Sequence, residues 1–437
     1  MHLNSQNGNG SMKIKHGLGV ATMLVAGSMM AGCSAGAANS QPTDGSVSGT
    51  LTGVFDVNFK DTIEEIVGNF EEKYPDVDVQ FNYQGGDVGG LISTQIQANT
   101  APDILLTFPG GDAGAGANVN VVTLASQGKL MDLSDQAWTK DIPDAWRSET
   151  DFEGATYAYP GAAQSLAAIY NQDALDKAGL EIPKTLDEVY QLCEDAKAAG
   201  LYAYAQGLGD PAGPQMLSFG QTASLVYGPN PDFKEQLDAG TTTYQDSKWV
   251  DQFEIYKKMN DKGCFGEGAL GRDRTQGGNA VAAGQALGLV DVGAAKSPMV
   301  TANPDGNFVI AGIPASNDGE LYITALPGYT IAANSAAKNP TAAAAFMAFL
   351  AEPAQSVIYA NGFSSVPIIP NDEYTAPADL AAFADLLASG NYAKLPNLGA
   401  PEVQDALNSG VQSLLLGTDT PESTAKKMQD AFDAASK

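Results

Sequence analysis

The chain has almost no histidine. Of its 437 residues only His2 and His16 are histidine, and both fall in a leader that export would remove. What remains cannot assemble a Ser-His-Asp or Cys-His nucleophile, nor a His-ligated metal. No metal or cofactor is therefore expected. Cysteine is nearly as scarce, with Cys33, Cys193 and Cys264. Basic side chains are few: 23 Lys and Arg stand against 51 Asp and Glu, a formal net charge of −28. Losing Lys13 and Lys15 with the leader takes it to −30. Such an acidic surface repels nucleic acid and anionic headgroups and keeps a protein soluble beside a membrane, so no nucleic-acid partner is expected. Beyond the leader, no apolar run approaches the ~18 residues that suggest a membrane span.

The leader itself is informative. Lys13, Lys15 and His16 precede an apolar stretch, residues 17–31, that ends in small residues before Cys33. A basic start, a short apolar middle and small residues before the cut describe a secretory signal. The stretch is too short to cross ~30 Å of hydrocarbon as a helix. Met30-Ala31-Gly32-Cys33 resembles the lipobox of bacterial lipoproteins, with Met30 where that pattern prefers Leu. On this reading residues 1–32 are a signal peptide and Cys33 is the lipidation site. The polar residues before Met12 fit no part of a signal and read as an over-extended start. Residues 33–49 are rich in Ser, Ala, Gly, Asn and Gln and form a flexible leash, spanning about 20–24 Å root-mean-square. The expected location is the outer face of the bacterial cell membrane, with the lipid as the only membrane contact.

The remainder is long enough for two domains. It opens as an α/β chain. Residues 49–55 alternate like a strand; Phe59, Ile63, Ile66, Val67, Phe70 and Tyr74 recur at helical spacing until Pro75 stops them. Residues 77–83 alternate again, Leu91, Ile92 and Ile96 fit a second helix, and residues 103–108 make a third strand. Strands alternating with crossover-length helices imply a mostly parallel sheet, whose ligands sit outside the carboxyl ends of the strands. Thr185 and Glu188 form a capping box; residues 201–206 read as a strand and 249–262 as an amphipathic helix. The last hundred residues read as mainly helical.

The loops after the first three strands supply the candidates. Asp56, Asn58 and Phe59 follow the first, where a carboxylate can accept from hydroxyls and a ring can stack. Asp56 could equally cap the helix, and Phe59 begins its apolar stripe. Gly86 and Asp87 lie in a glycine-rich turn that exposes N–H groups at the next helix start; a plain turn is the alternative. Thr107 and Phe108 end the third strand. Residues 110–116 are glycine-rich but lack the GxGxxG spacing and read as a rim loop rather than a phosphate cradle. Glu64, Glu65, Glu71 and Glu72 read as a solvated helix face, and Trp138, Trp146 and Trp249 as packing residues. Cys193 lies on an apolar helix face and Cys264 follows Gly263, a good helix-ending residue. They either pair or remain separately buried thiols, and the second is the expectation.

In their order, these stretches resemble the family 1 extracellular solute-binding proteins of ABC importers, the maltose-binding-protein-like group, across nearly the whole exported chain. The resemblance is carried by residues 70–79 (FEEKYPDVDV), 101–106 (APDILL), 127–134 (QGKLMDLS), 154–160 (GATYAYP), 169–173, 183–188, 328–333 (GYTIAA) and 343–361. It implies two α/β lobes with mostly parallel sheets, joined by three crossings near residues 161–165, 308–313 and 350–353. The first lobe is then 50–162 plus 312–350 and the second 163–311 plus 351–437. It adds Gln164, Gln206, Asp210, Asp291 and Tyr329 to the ligand-binding candidates. Where many members carry a tryptophan, this chain has Gly293-Ala294-Ala295, so a usual sugar-stacking platform is missing there. Arg272 and Arg274, the one close pair of arginines, are expected in an exposed loop.

The expectation is thus a monomeric, non-enzymatic lipoprotein that captures a mono- or oligosaccharide between its lobes and delivers it to an ABC permease. A polyol, phosphorylated polyol or cation is the rival ligand. A secreted two-carboxylate glycoside hydrolase needs no histidine either, but no acid here shows a catalytic setting. A structural adhesin is the third alternative.

Overall fold

The computed structural model describes residues 46–110 and 118–436. The expected signal peptide, Cys33, the leash up to residue 45 and the rim loop beyond Gly110 lie outside the described residues. The strands are β1 (Gly49–Asp56), β2 (Val77–Gln84), β3 (Ile104–Thr107), β4 (Asp151–Phe152), β5 (Ala155–Thr156), β6 (Ala158–Tyr159) and β7 (Ala162–Asn171). They continue with β8 (Tyr202–Tyr204), β9 (Ala286–Val292), β10 (Phe308–Ala311), β11 (Ile323–Pro327), β12 (Thr330–Ala333), β13 (Val366–Pro367) and β14 (Tyr392–Lys394).

One sheet has the order β2-β1-β3-β12-β6, with β1, β2 and β3 parallel. Its first helix, Lys60–Lys73, buries Ile63, Ile66 and Phe70, one face of a 3.6-residue period, and ends at Tyr74 before Pro75. Asp103 explains the Ala101-Pro-Asp motif. Its buried carboxylate accepts from the Thr52 N–H and hydroxyl on β1 and from the N–H groups of Lys338 and Asn339 ahead of helix Pro340–Leu350. A single satisfied carboxylate therefore ties two strands and a returning helix together.

The second sheet runs β14-β11-β7-β9-β8, with β10 and β13 also on β7. All ten residues of β7 are buried. The strand alternates between two cores: Leu166, Ala168 and Tyr170 face one, Ala167 and Ile169 the other. Six of its seven strands share one direction, as expected of a mostly parallel sheet, and β7 alone runs against them. β7 is antiparallel to β9, β10, β11 and β13, while β8–β9 and β11–β14 are parallel. β7 arrives straight from β6 of the other sheet through Pro160 and Gly161.

Two crossings also differ from their expected places. β11 pairs with β7, so the chain re-enters the first sheet at Gly328 and Tyr329 rather than near 308–313. Helix Pro353–Gly362 packs on helix Lys60–Lys73, with Lys73 paired to Glu352 and Asn69 donating to Gln355 at 3.2 Å. The third crossing therefore falls at residues 363–365, ahead of β13. Away from the crossings, Trp146 of the first lobe stacks on Tyr392 of β14 at 5.7 Å, and Lys394 of β14 pairs with Glu149 at 2.9 Å. The last hundred residues are mainly helical, as expected, with the two short strands β13 and β14 between the helices.

The thiol expectation is overturned: Cys193 and Cys264 are bonded, with Cα atoms 4.5 Å apart. The bond joins helix Leu186–Ala198 to the end of helix Trp249–Asp261, where Gly263 turns the chain at φ +80° and delivers Cys264 to its partner. It closes a loop across 71 residues, and removing such a link costs about 2–5 kcal/mol. Cys193→Ala/Cys264→Ala should unfold several degrees below the parent in a thermal melt, and dithiothreitol should lower the parent alone.

Burial also sets an alkaline limit. It raises the Tyr159 phenol from 10.0 to about 12 and lifts Tyr170, Tyr204 and Tyr256 as well. The native state then holds protons that the unfolded chain releases near pH 10. The stability these phenols lend is complete below pH 10 and is lost as pH rises toward their folded values, by about 1.4 kcal/mol per pH unit per group. Denaturant titrations should show stability falling from pH 10 upward, with the last tyrosinate absorbance appearing only as the fold is lost.

Candidate functional site

The carboxyl ends of β1–β3 bring most of the candidates together. Asp56 ends β1 and turns the chain: its Oδ1 accepts the Asn58 N–H at 2.8 Å. Among the described residues its Oδ2 takes no protein hydrogen bond, although Asp56 is only 9% exposed. Asn58 is exposed at the tip of this turn. Gly86 takes φ +80°, and Asp87 caps helix Val88–Gln97 by accepting the Gly90 N–H at 2.8 Å. A Cβ on Gly89 would stand 3.4 Å from the Phe108 ring, so the start of that helix lies against Phe108.

Three rings meet beside these polar groups. Tyr329 presents an edge contact to Phe59 at 5.6 Å and to Phe108 at 5.0 Å, and all three are half-buried. Burial first, and then the Asp56 charge, raises the Tyr329 pKa and keeps its phenol protonated. Gln164, on β7 just past the first crossing, is 8% exposed and its amide has no protein partner among the described residues. A Cβ on Gly328, next to Tyr329, would lie 3.2 Å from Gln164 Nε2. A nearly buried amide left without a partner is costly unless something from solution completes it.

Thr107 and Gln206 are different: each turns its polar group onto a neighbouring strand. The Thr107 hydroxyl, fully buried, is 2.8 Å from the Thr330 hydroxyl and donates to the Thr330 carbonyl, fastening β3 to β12. The Gln206 amide donates to the Val290 carbonyl at 2.8 Å and accepts the Val290 N–H at 3.0 Å, extending β8 along β9. Their polar groups are spent on the sheets.

Asp291 sits at the end of β9, 2% exposed, held by Arg274: Nε donates to Oδ2 at 2.8 Å and a terminal nitrogen to Oδ1. Asp210 is half-buried beside Arg274, and its charge adds to that of Asp291 in raising the Arg274 pKa. Hence Asp291 is one half of an ion pair rather than a free acceptor. Arg274 opens a capped helix, Arg274–Ala282. Arg272 donates to the Phe265 carbonyl at 2.9 Å and covers the Tyr202 ring at 5.0 Å. Neither arginine lies in the exposed loop expected from sequence. Sequence reasoning also missed Phe363, which stacks on Phe59 at 4.0 Å, and Tyr359 behind it at 4.3 Å. Neither was a candidate, because the third crossing was read before helix Pro353–Gly362 rather than after it.

A separate concavity of 870 Å³ lies on the second lobe, with Tyr190, Phe233 and Lys258 among its lining residues. It contains none of the candidates. The site proper offers ring faces, an amide and a carboxylate oxygen, a set suited to a neutral, polyhydroxylated solute rather than to a phosphate. Glu71, expected on a solvated face, instead accepts the Val79 N–H at 2.9 Å.

Comparison with known proteins places this geometry in context. The profile of the bacterial extracellular solute-binding proteins matches residues 56–357. The melibiose/raffinose/stachyose-binding protein MelE of Bacillus subtilis is 25% identical over 304 residues, 68% of either chain. Among solved structures, apo RafE of Streptococcus pneumoniae has a TM-score of 0.71 at 19% identity, covering 90% of this chain and 99% of RafE. A Bacillus licheniformis sugar transporter protein in complex with stachyose has a TM-score of 0.61 at 21% identity, covering 87% and 98%.

The Arg274–Asp291 pair has a measurable consequence. Arg274→Ala leaves a buried carboxylate without its partner and should cost about 3 kcal/mol in chemical denaturation. Arg274→Ala/Asp291→Asn should recover most of that loss.

Proposed function

Because the chain belongs to the bacterial extracellular solute-binding proteins, we propose that it captures an oligosaccharide between its lobes and passes it intact to an ABC permease. The observation that carries this is the convergence of Asp56, Phe59, Phe108, Tyr329 and the unpartnered Gln164 at one end of the first sheet. Apolar C–H faces of a pyranose match the rings, and hydroxyls match the Asp56 carboxylate and the Gln164 amide. Asn58, Gly86 and Asp87 rim this half, and Asp210 with the Arg274–Asp291 pair supplies polar groups from the second lobe. The names of MelE and of the stachyose complex support a galactoside of the raffinose type as ligand. An aromatic trio in the first lobe and crossing takes the place of the tryptophan absent at Gly293-Ala294-Ala295. The protein acts without covalent chemistry, as a monomer, and Cys33 carries the lipid that holds it at the outer face of the membrane.

Calorimetric titration against melibiose, raffinose, stachyose, maltose, sorbitol and inorganic phosphate tests the reading. A galactoside should bind with a Kd at or below ~1 μM, or about −8 kcal/mol, and be recovered unchanged by chromatography. Asp56→Ala should weaken that binding about tenfold or more, the worth of hydrogen bonds to a charged group. Turnover of the sugar, or heat with phosphate alone, would contradict it. Membrane fractionation of cells carrying Cys33→Ser tests the tether: the protein should move to the soluble fraction.

A further inference from the structure

Three crossings join the lobes, and one side chain touches all of them. Tyr359, 1% exposed, stands on helix Pro353–Gly362 just before the third crossing. Its hydroxyl donates to the carbonyl of Tyr329, in the second crossing, at 3.1 Å. Its ring meets the edge of Tyr159, the last residue before the first crossing, at 6.0 Å. Gly161, within that crossing at φ +67°, is packed so closely that a Cβ would stand 3.1 Å from the Tyr359 ring and 2.9 Å from the Tyr329 carbonyl oxygen. Only glycine fits there.

On its other side Tyr359 stacks on Phe363 at 4.3 Å and 15°, and Phe363 stacks on Phe59 at 4.0 Å and 19°. Phe363 opens the third crossing, and the next residue but one precedes β13; between them Ser364 holds φ +48°, a left-handed conformation unusual for serine. Two routes thus lead from Tyr359 to the rings of the site. One runs through its hydroxyl to the backbone of Tyr329, the other through two stacked rings to Phe59. Burial keeps the Tyr359 phenol protonated, so it remains a donor.

We propose that Tyr359 is a positioning residue for the solute site: it fixes the rings of Tyr329 and Phe59 and ties their occupation to the geometry of the three crossings. The proposal rests on the solute-binding reading above. A ligand that prefers one arrangement of Tyr329 and Phe59 then also biases the arrangement of the lobes, because both share this residue. A ligand shifts such an equilibrium only through its differential affinity for the two states, and Tyr359 is where that difference is transmitted.

The test uses the full chain with Tyr359→Phe, Tyr329→Ala and the double variant. Each is titrated with raffinose, melted, and measured by small-angle scattering without sugar. Tyr359→Phe keeps the packing ring and removes one buried hydrogen bond. It should melt close to the parent, bind raffinose about tenfold more weakly, and show a broader ligand-free distribution of interatomic distances. In the Tyr329→Ala background it should cost no further affinity. An undiminished tenfold loss in that background would overturn the proposal, as would parental affinity and parental scattering for Tyr359→Phe alone. If the parent itself binds no raffinose, the raffinose-type assignment fails separately. Ligand-free scattering then decides: a broadened distribution upholds the role of Tyr359 and an unchanged one removes it.

Discussion

The organisation of this protein depends on β7 being buried on both faces and paired on both edges. It follows the first crossing directly and accepts β13 and then β9 along one edge, and β11 and then β10 along the other. Its small residues, Ala162, Ala163, Ala167 and Ala168, let elements approach on either side. Every crossing is anchored to it: the first is its own start, the second leaves from β11, and the third ends on β13. Lobe geometry is therefore set where β7 begins, and that is where Gln164 presents its unpartnered amide.

This explains why the proposed site lies at the junction rather than within either lobe. Strand ends of the first sheet supply Asp56 and the turn at Gly86 and Asp87. The crossings supply Tyr329 and Gln164, and the second sheet brings Asp291 already paired with Arg274. At that junction Asp56 and Gln164 keep polar groups free. Thr107, at the end of β3, and Gln206, just past β8, use theirs to hold strands together, since buried polar groups must be satisfied.

Local structure was legible in the sequence wherever a periodic pattern was bounded by a strong stop. The helix from Lys60 ends before Pro75, and the Thr185 capping box is formed. The residues after β1, β2 and β3 could be chosen from the rule that ligands gather at strand ends. What could not be read was long-range pairing. That Gln206 would meet Val290, Arg274 would meet Asp291, or Cys193 would meet Cys264 depends on contacts with no local signature. The second crossing was misplaced for the same reason: β11 is an apolar segment that could have joined either sheet. The third was placed before helix Pro353–Gly362 rather than after it, which hid Tyr359 and Phe363.

On the proposed function, solute is held between two lobes and alters their arrangement. The most direct measurement is small-angle scattering of the full chain with and without a saturating galactoside. The account predicts a smaller radius of gyration and a narrower distance distribution in the presence of the bound sugar. Binding by calorimetry with no change in scattering would place the sugar elsewhere and contradict it.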